Sequence, residues 1–150
     1  MNAQAGSERL EGFKKALKLN KIDLDKRYVV SGDWSKESGG LAMKKLLSLK
    51  NPPTAVFVAG DEMALGAMEA TKEAGLKIPE DISFVGFDNI PQTNSPDVSL
   101  TTVEQPFPEL AQCGIKHLIQ IIKKKPRQPI KILLDNTKLI ERKSVKDLLK

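Results

Sequence analysis

The sequence predicts an α/β protein with a parallel sheet, right-handed crossovers and helices on both faces of the sheet. Two observations lead to this prediction. A continuous apolar run of strand length occurs at 55–59 and a second segment typical of a buried strand at 82–87, and stretches with apolar residues at helical spacing lie before, between and after them. Because a strand that is buried on both faces is apolar throughout, alternation of such runs with amphipathic helices is typical of parallel sheets.

The composition is that of one globular domain. The chain has 150 residues, of which 40% are hydrophobic and 29% are charged, and this excludes collagen-like, disordered and membrane-spanning chains. A chain of this length buries about 68–70% of the surface that its unfolded form exposes. The core therefore needs no disulfide or metal ion to hold it together.

The chemistry available to a catalytic or metal site is limited. There is one cysteine, Cys113, and one histidine, His117, so neither an internal disulfide nor a zinc site built from Cys and His is possible. The net charge of +5 permits a nucleic-acid partner without indicating one. With no apolar region of a secretory signal, we expect a cytoplasmic protein with no cofactor, no metal ion and no membrane contact.

The first third of the chain is predicted to run helix, strand, loop, helix. Ser7 is a good N-cap for the first helix, and the apolar face of that helix is formed by Leu10, Phe13 and Leu17. The β-rich run 28–30 predicts a short strand, and a polar loop follows at 31–37. The next helix carries its apolar residues at Leu41, Leu46 and Leu47.

The rest of the chain continues the alternation. The strand at 55–59 leads into a helix that begins at Asp61 and ends at Gly75, and the strand at 82–87 ends at Asp88. A loop rich in Pro, Asn and Ser extends to Ser99. A long apolar helix follows near residues 109–123, and the runs 130–134 and 138–140 predict terminal strands.

Polar side chains stand where three predicted strands end. Asp33 and Trp34 follow the first strand, Asp61 follows the second and Asp88 follows the third. In open α/β sheets the ligand crevice lies beyond the carboxyl ends of the strands. Carboxylates accept hydrogen bonds from vicinal hydroxyls, and an indole face packs on the apolar side of a sugar ring, so these residues suggest a site for a sugar or polyol.

Each of these residues also has a purely structural interpretation. Asp61 could be only a helix cap, Asp88 only a turn former, and Trp34 only a cover for the core edge. Asp61 and Asp88 could also act as an acid and base pair in glycoside hydrolysis, although nothing in the sequence predicts a raised pKa for either. Gly39 and Gly40 lack the spacing of a dinucleotide or phosphate loop.

Six motifs in order carry a resemblance to a known family. They are Arg9-Leu-Glu-Gly-Phe13, Gly32-Asp-Trp-Ser35, Asp61-Glu-Met-Ala-Leu-Gly-Ala-Met68, Ile78-Pro-Glu-Asp-Ile-Ser83, Val85-Gly-Phe-Asp-Asn89 and Leu100-Thr-Thr-Val-Glu-Gln-Pro106. Together they resemble the effector-binding core of the LacI/GalR family of bacterial transcriptional repressors. The resemblance runs nearly from end to end of the chain.

The resemblance implies a domain arrangement. Family members fold like type I periplasmic binding proteins, with two Rossmann-like lobes and an effector cleft between them. This chain would be an effector-binding and dimerisation fragment over 1–150. Residues 1–104 and about 128–150 would form the C-terminal lobe, and about 105–127 would be a crossover helix that belongs to an absent N-terminal lobe. The DNA-binding helix-turn-helix would also be absent.

The resemblance further implies six effector-binding residues: Arg9, Trp34, Asp61, Asp88, Gln105 and Phe107. Arg9 would grip the effector, Trp34 would stack on it, and Asp88 would bind its hydroxyls or polar edge. Phe107 would close the site, and Gln105 is a lesser candidate at the lobe crossover. The position before Asp61 is commonly asparagine in the family, whereas this chain has Gly60, so one amide of the usual set is missing.

Family members also form homodimers through this lobe. The matching residues here are Met63, Leu65, Met68, Ile90 and Pro91. Ordinary burial beneath the sheet is the alternative for each of them. Operator DNA would be bound only through the absent N-terminal domain.

Three functions remain open at this point. The first is the sensing portion of a repressor that responds to a small sugar-like effector. The second is a catabolite-control type of regulator that responds to a phosphocarrier protein, and the third is a solute-binding protein of a transporter. Enzymatic activity comes last, and no catalytic residue is expected.

Overall fold

The computed structural model describes residues 3–123 and 136–148. These residues form four α-helices and four strands. The helices are α1 (Ala3–Leu19), α2 (Lys36–Leu47), α3 (Asp61–Glu73) and α4 (Phe107–Ile122), and the strands are β1 (Ala55–Phe57), β2 (Ser83–Asp88), β3 (Thr101–Glu104) and β4 (Lys138–Ile140). Two short 3-10 helices occupy Lys26–Tyr28 and Pro91–Asn94.

The four described strands form one sheet in the order β1-β2-β3-β4. The pairs β1–β2 and β2–β3 are parallel, with Phe57 opposite Val85 and Asp88 opposite Glu104. The predicted α/β class is thereby confirmed. One strand pair departs from the predicted parallel arrangement, because β4 pairs antiparallel with β3 and places Ile140 opposite Thr102. The sequence analysis did not assign β3, although its run Thr101-Thr102-Val103 is β-branched throughout.

Helices cover both faces of the sheet, as predicted. Successive residues of a strand point to opposite faces. Phe87 lies against Arg9 of α1, and Phe57 stacks on Phe13 of α1 with ring centroids 5.6 Å apart. Gly86, the neighbour of Phe87, faces the side chain of Asp61 in α3. Helix α1 therefore lies on one face and α3 on the other.

The core lies between the sheet and the pair α2 and α3. Its buried side chains include Met43, Ala64, Met68, Phe84 and Leu100. The two helices cross with almost no space between their backbones. A Cβ on Gly66 would overlap the carbonyl oxygen of Lys36, and a Cβ on Gly39 would overlap that of Met63. Glycine at these two positions allows the crossing.

Two local predictions in the first third of the chain are wrong. Helix α1 begins four residues before Ser7, whose hydroxyl donates to the carbonyl of Gln4 inside the helix. The run 28–30 is not a strand. Asp25 accepts a hydrogen bond from the backbone N–H of Arg27 and caps the 3-10 helix Lys26–Tyr28 instead.

Strand β1 is less buried than its apolar sequence predicts. Ala55 is exposed and Val56 is half-buried. Within the described part of the chain β1 pairs with β2 alone, because the segment at 28–30 does not form the strand that would cover its other edge. The strand predicted at 130–134 lies outside the described residues.

Helix α4 carries the most apolar surface of the described chain. All seven of its large hydrophobic side chains are between 42% and 68% exposed, and no residue of the helix is buried. The exposed residues are Phe107, Leu110, Ile115, Leu118, Ile119, Ile121 and Ile122. Among the described helices none has the length and hydropathy needed to cross a bilayer.

The close crossing of α2 and α3 predicts how substitution of its glycines changes the free energy of unfolding. Gly66→Ala should lower the free energy of unfolding by about 3 kcal/mol, because the added methyl group overlaps a backbone oxygen that cannot rotate away. Gly12→Ala is the matched control, since its added methyl group meets only open space in α1. That variant should gain about 1 kcal/mol from helix propensity alone. Urea unfolding measures both values, and equal effects would contradict the proposed close crossing.

Candidate functional site

The carboxyl ends of β1, β2 and β3 bring a group of polar side chains together. Asp88 is the last residue of β2 and lies between Arg9 of α1 and Gln105, which follows β3. Arg9 donates from Nη2 to Asp88 Oδ1 at 3.3 Å, and Gln105 donates from Nε2 to the same oxygen. Residues far apart in sequence thus meet at one carboxylate.

Arg9 is held in a fixed orientation. Its Nη1 donates to the carbonyl oxygen of Ala59 at the end of β1. Its guanidinium carbon lies 3.9 Å from the ring centroid of Phe87 and 5.3 Å from that of Trp34. Arginine binds anions in a planar fork and stacks well on aromatic rings, so the position of Arg9 is determined by both hydrogen bonding and stacking.

Trp34 reaches the site from the loop before α2. Its backbone φ of 75° lies in the left-handed region, which is rare for a bulky residue and is often found at functional sites. Asp33 accepts hydrogen bonds from the backbone N–H and hydroxyl of Ser35 and holds this loop. A Cβ on Gly60 would lie 3.1 Å from Trp34 Cε3, so the glycine at position 60 gives the indole room to lie against β1.

The hydrogen bonds from Ser35 stabilise the ionised form of Asp33. They lower the pKa of its carboxyl from 3.8 to about 2. The carboxylate is therefore charged over the physiological range, and it accepts the Ser35 hydrogen bonds in its ionised form.

Asp61 lies behind the site and is completely buried. It is not the N-cap of α3, since Gly60 occupies that position. Its Oδ1 accepts from the Thr102 hydroxyl at 2.7 Å and its Oδ2 accepts from the Ile90 backbone N–H at 3.0 Å. Burial raises the pKa of the Asp61 carboxyl above 3.8, while these two hydrogen bonds oppose the rise. No oxygen of Asp61 is presented to the site surface.

Phe107 is placed less closely than the resemblance implies. It is the first residue of α4 and is 49% exposed. The groove of about 650 Å³ that contains Arg9 is lined by Ala5, Glu8, Arg9, Gly12, Phe13, Ala16, Phe57, Phe87 and Gln105. Phe107 is not among these lining residues, although it follows Gln105 by two positions in the chain.

Phe87 and the residues that hold the turn after β2 also surround Asp88 and were not predicted from the sequence. Arg9 stacks on Phe87, and the aromatic character of Phe87 at the end of a strand was the available signal. In the turn after β2, Asn89 donates to Glu104 Oε1 at 2.8 Å, and Arg142 donates to Asn89 Oδ1 at 2.7 Å. No local pattern indicated Arg142, because its partners lie more than 40 residues away.

The five residues of the expected dimer surface divide into two groups. Met63 and Met68 are 8% and 3% exposed and belong to the core, so their side chains are not available to a partner. Leu65 and Ile90 are half-buried and Pro91 is exposed. The alternative of ordinary burial is thus correct for the two methionines.

The arrangement is suited to binding a polar molecule. It combines the guanidinium of Arg9, the carboxylate of Asp88, the amide of Gln105 and the half-buried indole of Trp34 at one edge of the sheet. Arg9 and Gln105 also line the groove. Within residues 3–123 and 136–148 no group of His, Cys, Asp and Glu is arranged to hold a metal ion. The geometry offers hydrogen bonding and stacking to a ligand.

Comparison with known protein families gives one match over almost the whole chain. Residues 2–145 match the family described as a periplasmic binding protein-like domain. The repressor PurR of Proteus mirabilis is 42% identical over 147 residues, which cover 98% of this chain and 43% of that protein. The chain spans less than half the length of the curated relatives it matches.

Solved structures agree with this match. The transcription regulator CcpA of Lactococcus lactis superposes with a TM-score of 0.83 at 29% identity, over 94% of this chain and 51% of that one. A LacI family transcriptional regulator from Enterococcus faecium with bound ribose gives a TM-score of 0.78 at 34% identity, over 91% of this chain and 50% of that one.

The loop that carries Trp34 should respond to acid. Trp34 is the single tryptophan, so tryptophan fluorescence reports on the surroundings of this one side chain. The lowered pKa of Asp33 means that its stabilising contribution is complete above pH 3.8 and is lost as the pH falls through about 2. We expect the emission of Trp34 to change in this interval.

Asp33→Asn is the control for this titration. Its emission should be independent of pH in the same interval and should already resemble the acid form of the unmodified chain. Far-ultraviolet circular dichroism recorded in parallel separates the loop transition from global acid unfolding. An identical acid transition in the variant would show that another carboxylate is responsible.

Proposed function

This chain belongs to the periplasmic binding protein-like family, within the LacI/GalR group of regulators, and we propose on that premise that it is the effector-sensing portion of a transcriptional repressor. The observation that carries the proposal is the meeting of Arg9, Asp88 and Trp34 at the carboxyl ends of the strands. The effector is a small polar molecule of the sugar class, with Arg9, Trp34, Asp88 and Gln105 as its ligands in this lobe.

The chemistry of the site supports such an effector. The Asp88 carboxylate has two acceptor oxygens and can bind adjacent hydroxyls, while Arg9 and Gln105 supply donors. The indole of Trp34 packs on the apolar face of a sugar ring. The relative with bound ribose has the same fold. Phe107 closes the site when α4 takes its place beside the second lobe, whereas Asp61 supports the site from the core.

Helix α4 belongs, in this proposal, to the crossover at about 105–127 that packs on an N-terminal lobe. Its seven exposed apolar side chains would be covered there. Residues 1–104 and about 128–150 would form the C-terminal lobe. This arrangement would leave the effector between two walls, of which the described residues form one.

Regulation would follow from linkage. An effector that binds one arrangement of the two lobes more tightly shifts the population toward it, and the operator affinity changes by the same differential free energy. We infer a homodimer that uses Leu65, Ile90 and Pro91, because two-fold dimers are the simplest closed assembly. Operator DNA would be bound by a separate N-terminal domain in the cytoplasm.

A ligand screen tests the proposed function. The protein is heated with a panel of monosaccharides, including D-ribose, and with nucleobases, since a ligand that binds only the folded state raises the melting temperature. We expect at least one monosaccharide to raise it, whereas a rise with nucleobases alone would contradict the sugar class. Asp88→Ala should abolish that rise because it removes the acceptor that Arg9 and Gln105 surround.

Asp97→Ala is the matched control, since Asp97 is an exposed aspartate outside the site. It should leave the ligand-induced rise unchanged. If no panel compound acts and only a phosphocarrier protein stabilises the fold, the proposed effector class is wrong. The similarity to CcpA makes that protein-partner function the second candidate.

The exposed apolar side chains of α4 predict that the chain self-associates. The isolated 150-residue chain should self-associate through the stripe Ile115, Leu118, Ile119 and Ile122, whose side chains share one helix face and are exposed. Ile115→Lys combined with Ile122→Lys should abolish this association. Sedimentation velocity over a dilution series measures it, and a compact monomer of the unmodified chain at every concentration would contradict the prediction.

A further inference from the structure

Arg142 connects the C-terminal segment of the chain to the candidate site. It follows β4 by two residues and is half-buried. Its Nη2 donates to Asn89 Oδ1 at 2.7 Å, and its Nη1 donates to the Leu100 carbonyl oxygen at 2.7 Å. The planar guanidinium fork therefore spans from the end of β2 to the start of β3.

The backbone of Arg142 is also held in place. Its N–H donates to the Thr101 hydroxyl oxygen at 2.9 Å, and that hydroxyl donates to the Arg142 carbonyl oxygen at 3.2 Å. Two residues later, the buried Ser144 accepts from the Thr101 N–H and donates to the Phe84 carbonyl oxygen. The guanidinium is thus attached to a segment that is itself fixed between β2 and β3.

The turn that Arg142 contacts needs such support. Asp88 has a φ of 119° and Asn89 a φ of 56°, and non-glycine residues occupy this region only where the surroundings hold them there. Asn89 is bonded through its side-chain oxygen to Arg142 and through its nitrogen to Glu104. Asp61 holds the next residue, Ile90, from the core side.

We propose that Arg142 is a positioning residue for the effector site, which fixes the Asp88–Asn89 turn and thereby the direction of the Asp88 carboxylate. It acts through Asn89 and does not touch the effector. The inference rests on the proposed function for its biological meaning. Arg142 follows β4 by two residues. A change in the position of β4 on the sheet would therefore move Arg142 and, through Asn89, the Asp88 carboxylate.

Two substitutions and one control test this role. Arg142→Lys keeps the positive charge but has one nitrogen, which cannot form the fork to Leu100 and Asn89 together. Arg142→Met removes the charge. Lys143→Met is the control, because the structure gives Lys143 hydrogen bonds through its backbone N–H to Ser99 and an exposed side chain.

The first readout needs no ligand. Heteronuclear NMR of the 150-residue chain follows the amides of residues 88–90, with the buried amide of Ala64 in α3 as the internal reference. Both Arg142 variants should shift the three amides and make the Ile90 amide exchange about tenfold faster relative to Ala64. The Lys143 variant should change neither. Unshifted amides at 88–90 with only a lower melting temperature would overturn the proposal, because Arg142 would then serve stability alone.

The second readout tests the route through Asn89. Asn89→Gly removes the acceptor oxygen while it permits the positive φ. If Arg142 acts through Asn89, Arg142→Met should cause little further shift at residue 88 in the Asn89→Gly background. Additive shifts in the double variant would overturn the proposed route.

The third readout separates this inference from the proposed function. D-ribose binding is measured by calorimetry in the unmodified chain and in Arg142→Lys, where the dissociation constant should rise about tenfold. If the unmodified chain binds no D-ribose, this sugar is excluded as a ligand of the described wall of the site, and the NMR readout decides whether Arg142 positions Asp88. If ribose binds both proteins equally well, positioning by Arg142 is overturned and the effector class stands.

Discussion

The buried carboxylate of Asp61 is the interaction on which the arrangement of the site depends. It joins the first turn of α3 to Thr102 in β3 and to Ile90 after β2. A buried charge is costly unless its oxygens are hydrogen-bonded, so these partners have to stay in place. The carboxylate also requires Gly86, since any Cβ there would overlap its Oδ1. One side chain thus fixes the spacing of three elements whose ends form the site.

Contacts between segments that are distant in sequence form the site at the ends of these elements. Helix α1 brings Arg9 across the sheet to the end of β2, where the aromatic rings of Phe87 and Trp34 and the carboxylate of Asp88 hold it. Asp88 has a positive φ of 119°, and its Oδ1 accepts hydrogen bonds from Arg9 and Gln105. Rigid strands and a core carboxylate therefore support a polar group that is open to a ligand on one side.

The apolar surface of α4 lies directly after the polar site in the chain, because α4 begins two residues after Gln105. The sheet, α2 and α3 share a continuous core, whereas no residue of α4 is buried. The seven exposed large hydrophobic side chains of α4 carry an unfavourable solvation free energy, because their apolar area is in contact with water. The buried side chains therefore lie between the sheet and the pair α2 and α3, whereas the helix that follows Gln105 stays exposed.

The sequence by itself determined the α/β class, helices α2 to α4, strand β2 and the placement of Asp88 and Trp34 beyond strand ends, because periodicity, capping residues and apolar runs are local signals. Only the tertiary structure decided the antiparallel direction of β4, the burial of Asp61, Met63 and Met68, and the absence of a strand at 28–30. Each of these depends on which distant residue supplies a partner. Local patterns carry no record of such partners, which is also why Arg142 could be found only in the folded chain.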